Sequence, residues 1–274
     1  MRTTCSALVV LLISDAHYAQ KAPEARSYIS PGIVEHDSTS TRVIANDPRP
    51  LSQAVDALED EYGWLGWLID YEDPPYESKY DLVDHTAPQW RMAHPDSKGV
   101  TVPSGGHFES QFEEMAGAQW SQRNIEEVLD KVVSDYNRSG NPGKFIVRRE
   151  EKNRYAIIGT TIVDNAGHEK IVAAILDTPI SFAREERSAD LTLQLICERL
   201  SAKLGIKAAY GGFGGMADNV AIQSKVTVGG ENLPARALLL QTVDHMDGIR
   251  IWRLFYDADS KQYFLTFRNE VKLR

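Results

Sequence analysis

One apolar stripe occurs twice in this chain, and its recurrence limits the fold more than any other feature of the sequence. Leu51, Ala54, Val55, Leu58 and Tyr62 stand at offsets 0, 3, 4, 7 and 11, the spacing that gathers side chains on one face of an α-helix. Gly63 follows, where the left-handed conformation open to glycine can end a helix. Leu193, Ile196, Cys197, Leu200 and Leu204 repeat the stripe 142 positions later, and Gly205 stands where Gly63 does. A strand-like run follows each glycine, Trp67-Leu68-Ile69-Asp70-Tyr71 in the first case and Ile206 to Tyr210 in the second.

A second helix recurs in the same way. Ile125, Val128, Leu129, Val132, Val133 and Tyr136 sit at helical spacing, and Ala235, Leu238, Leu239, Val243 and Met246 follow them at an offset of 110. Pro234 suits the first helical turn, where its missing N–H costs little. Each second helix leads into a hairpin: Phe145 to Arg148 with Arg154 to Ile158, and Ile249 to Tyr256 with Tyr263 to Phe267. Tyr155 and Tyr263 hold equivalent places. Thr41 to Ala45, Ile171 to Ile175 and a run starting at Thr178-Pro179-Ile180 read as further strands.

The two offsets differ by 32 residues, so the first copy carries about that much extra chain between its helices. Residues 74–120 are that insertion. Pro88, Pro95, Pro103 and Gly105-Gly106 punctuate it, and Tyr80 to Val83 with Val100 to Val102 are candidate strands of a hairpin. The predicted fold class is α+β: two tandem small units of two helices packed on short sheets, the first with a long insertion. The units span 41–160 and 171–268.

The segment Leu193 to Ile206 resembles the first helix of the secretin and TonB short N-terminal domain, an apolar helix ending at a glycine before a strand. Pro234 to Leu240 resembles that family's second helix, and the closing hairpin its last two strands. The likeness covers roughly 171–268 and, more weakly, 41–160. It implies a periplasmic docking module that touches other envelope components. Such modules normally precede a pore or barrel. The sequence ends at Arg274, just past the hairpin, so neither is carried over as an expectation.

The N-terminus reads as an export signal. Arg2 precedes the apolar run Ala7 to Ile13, and Ser14-Asp15-Ala16 supplies the small residues that signal peptidase needs. Cleavage after Ala16 or after Ala19 fits, making 1–19 a signal peptide and 20–40 a flexible leader broken by Pro23, Pro31 and Gly32. The run is far shorter than the ~20 residues that span a bilayer, and no later segment reaches that length. Past the signal only Cys197 remains, so no internal disulfide forms and the fold relies on its core. A formal charge of −9 argues against non-specific nucleic-acid binding, which needs a basic surface against the phosphates.

Reactive chemistry is sparse. His94, His107, Glu109 and Glu113 are close in sequence but lack a ligand-pair spacing. Gly211 to Gly215 follows a strand, yet Val220-Ala221-Ile222 reads as another strand instead of the helix a phosphate loop needs. Glu59-Asp60-Glu61, Glu113-Glu114 and Glu126-Glu127 read as solvated acids. No catalytic, metal or cofactor set is assigned. The aromatics Trp64, Tyr76 and Trp90 fall in predicted loops and form the candidate contact surface. The expected function is a non-enzymatic, exported docking module whose partner is an envelope protein. Self-association through edge strands is a further expectation. The alternative is a secreted hydrolase or glycan-binding protein using the insertion.

Overall fold

The structure is a computed structural model that describes residues 31–46, 48–97, 99–113, 122–151, 153–211, 216–246 and 248–269. The expected signal peptide over 1–19 and residues 20–30 of the expected leader lie outside the described residues. Along the chain come β1 (Ile33–His36), β2 (Ser40–Ala45), α1 (Pro50–Tyr62), β3 (Leu68–Glu72), β4 (Leu82–Asp84), α2 (Pro88–Ala93), β5 (Thr101–Pro103), β6 (Phe108–Glu113), α3 (Gln122–Arg138), β7 (Lys144–Glu151) and β8 (Arg154–Val163). Then follow β9 (Glu169–Ile171), β10 (Pro179–Ser188), α4 (Ala189–Leu204), β11 (Lys207–Tyr210), α5 (Met216–Gln223), β12 (Lys225–Pro234), α6 (Ala235–Val243), β13 (Ile249–Asp257) and β14 (Gln262–Asn269). No helix among the described residues is long and apolar enough to cross a membrane.

The helix signals act locally as their chemistry requires. Pro50 opens α1. The Ser188 hydroxyl accepts the Leu191 N–H at the start of α4, and Gly205 ends it at φ 67°. Gly63 differs: it continues right-handed into a 3-10 turn, and Gly66 takes the left-handed turn instead, at φ 78°.

The two-unit expectation is corrected by the sheet. A seven-stranded mixed sheet runs through both halves in the order β11-β14-β13-β3-β8-β7, with β9 beside β8. The fold is α+β but strand-rich, with six helices and fourteen strands among the described residues, and its halves do not rest on separate short sheets. The outer strand of the second hairpin, β13, pairs in parallel with β3 of the first half. An edge strand leaves N–H and C=O groups unpaired, and this joining satisfies two such edges at once.

The sheet also shows how the halves are related. β13, β3 and β8 run one way, and β14, β11 and β7 run the other. A half-turn about an axis across the strands therefore carries one three-strand set onto the next. That turn puts the two cores on opposite faces. Leu51, Leu58, Leu129 and Val132 of α1 and α3 pack on Ile69, Tyr71, Phe145, Tyr155 and Ile157, backed by Val43, Phe108 and Phe112. Leu193, Leu200, Leu238 and Val243 of α4 and α6 pack on Trp252, Leu254, Tyr256 and Tyr263, backed by Ile180, Phe182 and Val228. Each fully buried side chain of this size stabilises the fold by roughly 1.5–3 kcal/mol.

Three further expectations change. Residues 33–36 of the supposed leader form β1, paired with β2, with Ile33 opposite Ile44 and Val34 opposite Val43. The expected insertion over 74–120 contains a strand not foreseen in the sequence, because β6 lies inside it and pairs along the whole of β2. The strand expected over 171–175 is only the end of β9, and a 3-10 turn occupies Ile175–Asp177.

Few backbone pairs join β13 to β3, namely Arg253 with Tyr71 and Leu254 with Glu72. Side chains complete the seam. Asp70 accepts the Trp252 N–H at 3.1 Å and Arg154 at 2.9 Å. Glu72 is held by Arg236 and accepts the Leu176 N–H at 3.3 Å. Asp73 accepts the Tyr256 N–H at 3.0 Å, Arg49 at 2.7 Å and the Tyr71 hydroxyl at 2.8 Å. On the other face Arg253 reaches Glu59 at 2.5 Å, Asp56 at 2.7 Å and the Ile69 carbonyl at 2.5 Å. Asp70 and Asp73 thus take N–H groups of β13 across the seam, Glu72 takes that of the 3-10 turn Ile175–Asp177, and each buried carboxylate meets a guanidinium, as a buried charge must.

Candidate functional site

The insertion leaves the body of the fold after β3 and returns at β6. Its first residues are locked down. Tyr76 is buried at 2% exposure, so its ring is not available to a partner. Asp81 is also buried; its carboxylate accepts the Val163 N–H at 2.7 Å and its carbonyl accepts the Ser104 N–H at 2.7 Å. At the far end the Thr101 N–H donates to Asp259 in the tip of the β13–β14 hairpin at 3.0 Å.

Between these anchors stands a small lobe. β4 and β5 pair antiparallel, with Leu82 opposite Pro103 and Val83 opposite Val102. Alternation splits the hairpin into two faces. Leu82 packs against the second core and Pro103 is buried. Val83, at 38% exposure, belongs to the outer face, and Val100 continues that face beyond β5 at 57%. Met92 of α2 is 75% exposed and Tyr80 is 55% exposed. Trp90 is half-buried, its ring stacked on His94 with centroids 4.8 Å apart. The lobe therefore presents several large apolar groups to water.

Arg91 holds the lobe together. It donates to Asp84 at 2.6 Å, to the Thr86 hydroxyl at 3.2 Å and to the Ser97 carbonyl at 2.9 Å. Thr86 in turn accepts the Val100 N–H at 2.7 Å. Hydrogen bonds from Thr86, then from Arg91, hold the Asp84 carboxyl down at about 2, below its ordinary 3.8. That stabilisation is complete above about 3.8 and is lost as pH falls through about 2. Arg91→Ala should loosen the lobe and speed proteolysis there. Global stability should hardly change, as expected of an exposed ion pair. Limited proteolysis beside far-UV circular dichroism checks both.

Trp64 lies in the 3-10 turn Gly63–Leu65, and its side chain is outside the described residues, as is Trp120. His107 turns to Asn46 at 3.1 Å, while His94 stays on Trp90. Among the described residues no group of three or more His, Cys, Asp or Glu side chains could hold a metal ion. Val220-Ala221-Ile222 is part of helix α5, not a strand. A helix does follow the glycine run, but the run and the helix carry no lysine, which a phosphate loop usually supplies. Residues 212–215 lie outside the described residues. Cys197 is buried, and burial pushes its thiol up to about 12, far from a reactive thiolate.

Glu59 is the acid that sequence reasoning misplaced. It is 2% exposed, not solvated. Burial raises its carboxyl to about 7 against the pull of Arg253. A carboxyl tuned so far often marks catalysis, but here it is spent on Arg253 and on the Ile69 N–H at 3.0 Å. A shallow polar groove lies elsewhere, lined by Glu35, His36, Asp37, Ser40, Arg42 and Gln111. Arg42 pairs with Glu35, and His36 lies 3.1 Å from both Thr41 and Glu61, so its charges are mutually satisfied. No family model, no curated protein and no solved structure matches the chain.

Proposed function

We propose that this chain is an exported, non-enzymatic docking module of the cell envelope, and that the lobe between β3 and β6 binds a protein partner. The observation that carries the reading is the outer face of the β4–β5 hairpin. Val83 and Val100 lie on it, and Met92 and Tyr80 add exposed apolar area in the same lobe. A hairpin pinned by Asp81 and Arg91 offers that area in a preformed shape, which lowers the entropy cost of binding. The likeness of Leu193 to Ile206 and of the closing hairpin to the secretin and TonB short N-terminal domain supports an envelope setting. The N-terminal run Arg2 to Ala16 supports export. We also propose self-association through β11 and β7, the strands at the two ends of the sheet order among the described residues.

Capture in cells tests the docking reading. A C-terminally tagged chain is crosslinked, the envelope is fractionated, and captured proteins are identified by mass spectrometry. One dominant envelope protein should be captured, and Val83→Lys with Met92→Lys should reduce it at least about tenfold, as loss of an interface centre does. Circular dichroism should stay unchanged. Equal capture by the variant removes the lobe as the contact surface. Binding of purified chain to cell-wall glycan, lost in Trp90→Ala, would instead establish the carbohydrate reading.

A further inference from the structure

We infer that copies of this chain join head to tail, β7 of one copy pairing in parallel with β11 of the next. The inference rests on the self-association proposed above and gives it a register and a polarity. The seam inside the chain already contains such a junction. Tyr155 faces Ile69 on one side and Arg149 on the other, while Tyr263 faces Ala208 and Tyr256. So β7 stands to the first half as β13 stands to the second, and β11 corresponds to β3. Counting along these registers places Ile146 where Arg253 is and Tyr210 where Tyr71 is. Arg253 and Tyr71 are the residues that meet at the seam.

One side-chain closure differs from the seam and one corresponds. At the seam the Trp252 N–H is taken by Asp70 of the facing strand; on β7 the equivalent Phe145 exchanges two bonds with Asn137 of its own copy's α3, at 2.9 and 2.8 Å. At the seam the Ile69 N–H is taken by Glu59; on β11 the equivalent Ala208 N–H is taken by Ser201 at 2.8 Å. Phe145 thus points its backbone groups outward, and alternation directs those of Val147 the same way. Val147 corresponds to Leu254, whose carbonyl accepts the Asp73 N–H at 2.9 Å across the seam. Ile146 is 46% exposed on this edge.

The polarity follows from the half-turn that relates the halves. Two half-turns make a full turn, so each added copy is simply displaced along the sheet. A contact of this kind does not close on itself and builds an open row. It is weaker than the seam, because Ile146 stands in for Arg253 and Ser201 for Glu59, and the ion pair is lost.

The test uses the full chain with Cys5→Ser, Cys197 being buried. Sedimentation velocity should show concentration-dependent association. Ile146→Cys mixed with Tyr210→Cys should form disulfide-linked pairs under mild oxidation, and neither variant alone should. Ile146→Arg with Ser201→Glu restores the ion pair and should tighten association by about tenfold or more. Covalent dimers of Ile146→Cys alone would overturn head-to-tail joining while leaving self-association intact. Unchanged association in the Arg–Glu variant would overturn the register. A monomer mass across the whole soluble range would overturn both proposals, and the capture experiment is independent of all three results.

Discussion

Arg253→Ala destabilises the fold by about 3–5 kcal/mol, the cost of stranding a buried charge. Arg253 is 1% exposed and holds Glu59, Asp56 and the Ile69 carbonyl from β13. Arg268 lies 3.4 Å from Glu59 and compensates only in part. The deficit depends on pH. Burial already lifts Glu59 from 4.5 to about 7, so stability from its raised value is full below 4.5 and is lost as pH rises through about 7. Without Arg253 the carboxyl holds its proton more tightly still. The variant should therefore lose less at about pH 5, where Glu59 is neutral, than at about pH 8, where the native chain has the ion pair. Urea unfolding at the two values checks this. An equal deficit would mean that Glu59 is ionised throughout. Replacing both members, Glu59→Gln with Arg253→Met, should cost much less than the single change, since no buried charge then lacks its partner.

Asp73→Ala should cost a similar ~3–5 kcal/mol. Its side chain is fully buried and takes three donors: Arg49, the Tyr71 hydroxyl and the Tyr256 N–H. Removing it strands the buried Tyr71 hydroxyl and Tyr256 N–H and takes a partner from the part-buried Arg49, and each buried stranded polar group costs about 1–3 kcal/mol before relaxation. Arg49 suffers most. It stands just before α1 at φ 55°, also donates to the Tyr256 carbonyl at 2.7 Å, and lies over the Phe255 ring at 5.1 Å. Its anchorage is what holds the start of α1 against β13. Asp73→Asn keeps an oxygen toward Arg49 and Tyr256 and should cost only about 1–2 kcal/mol, the scale of one altered hydrogen bond. If Asn and Ala prove equally damaging, charge and not hydrogen bonding carries the site.

Much of the framework was legible because it is local. The stripes of α1 and α4, the helices α3 and α6 and both closing hairpins announce themselves in periodicity and turn residues. The failures have particular causes. Val220-Ala221-Ile222 is an apolar triplet, and a short apolar run does not distinguish strand from helix. Phe108, Ser110 and Phe112 alternate as a strand should, but the prolines and glycines before them hid β6 inside an insertion. Glu59, Asp70, Glu72 and Asp73 look like solvent-facing acids along the sequence. Their arginine partners at 253, 154, 236 and, for Asp73, 49 come mostly from far along the chain, so their burial is a tertiary fact. In the candidate site the hairpin could be read from Val83 and Val102. The burial of Tyr76 could not, because it depends on packing from segments more than sixty residues away, among them Gly143.

The seam also sets an order of events during synthesis. β3 is made early, and its inner edge is satisfied by β8 well before the chain is complete. Its outer edge carries Asp70, Glu72 and Asp73, and the strand that covers it, β13, emerges only near the C-terminus. Until then a half-finished sheet displays unpaired backbone beside Glu72 and Glu59, whose arginines are not yet made, while Asp70 and Asp73 already have Arg154 and Arg49; the two bare charges guard that edge against joining a neighbouring nascent chain. Arg236 and Arg253, the last arginines to reach the seam, arrive just before and with the strand that closes it. The same charges that discourage premature contact while the chain grows become its fastening once β13 is in place.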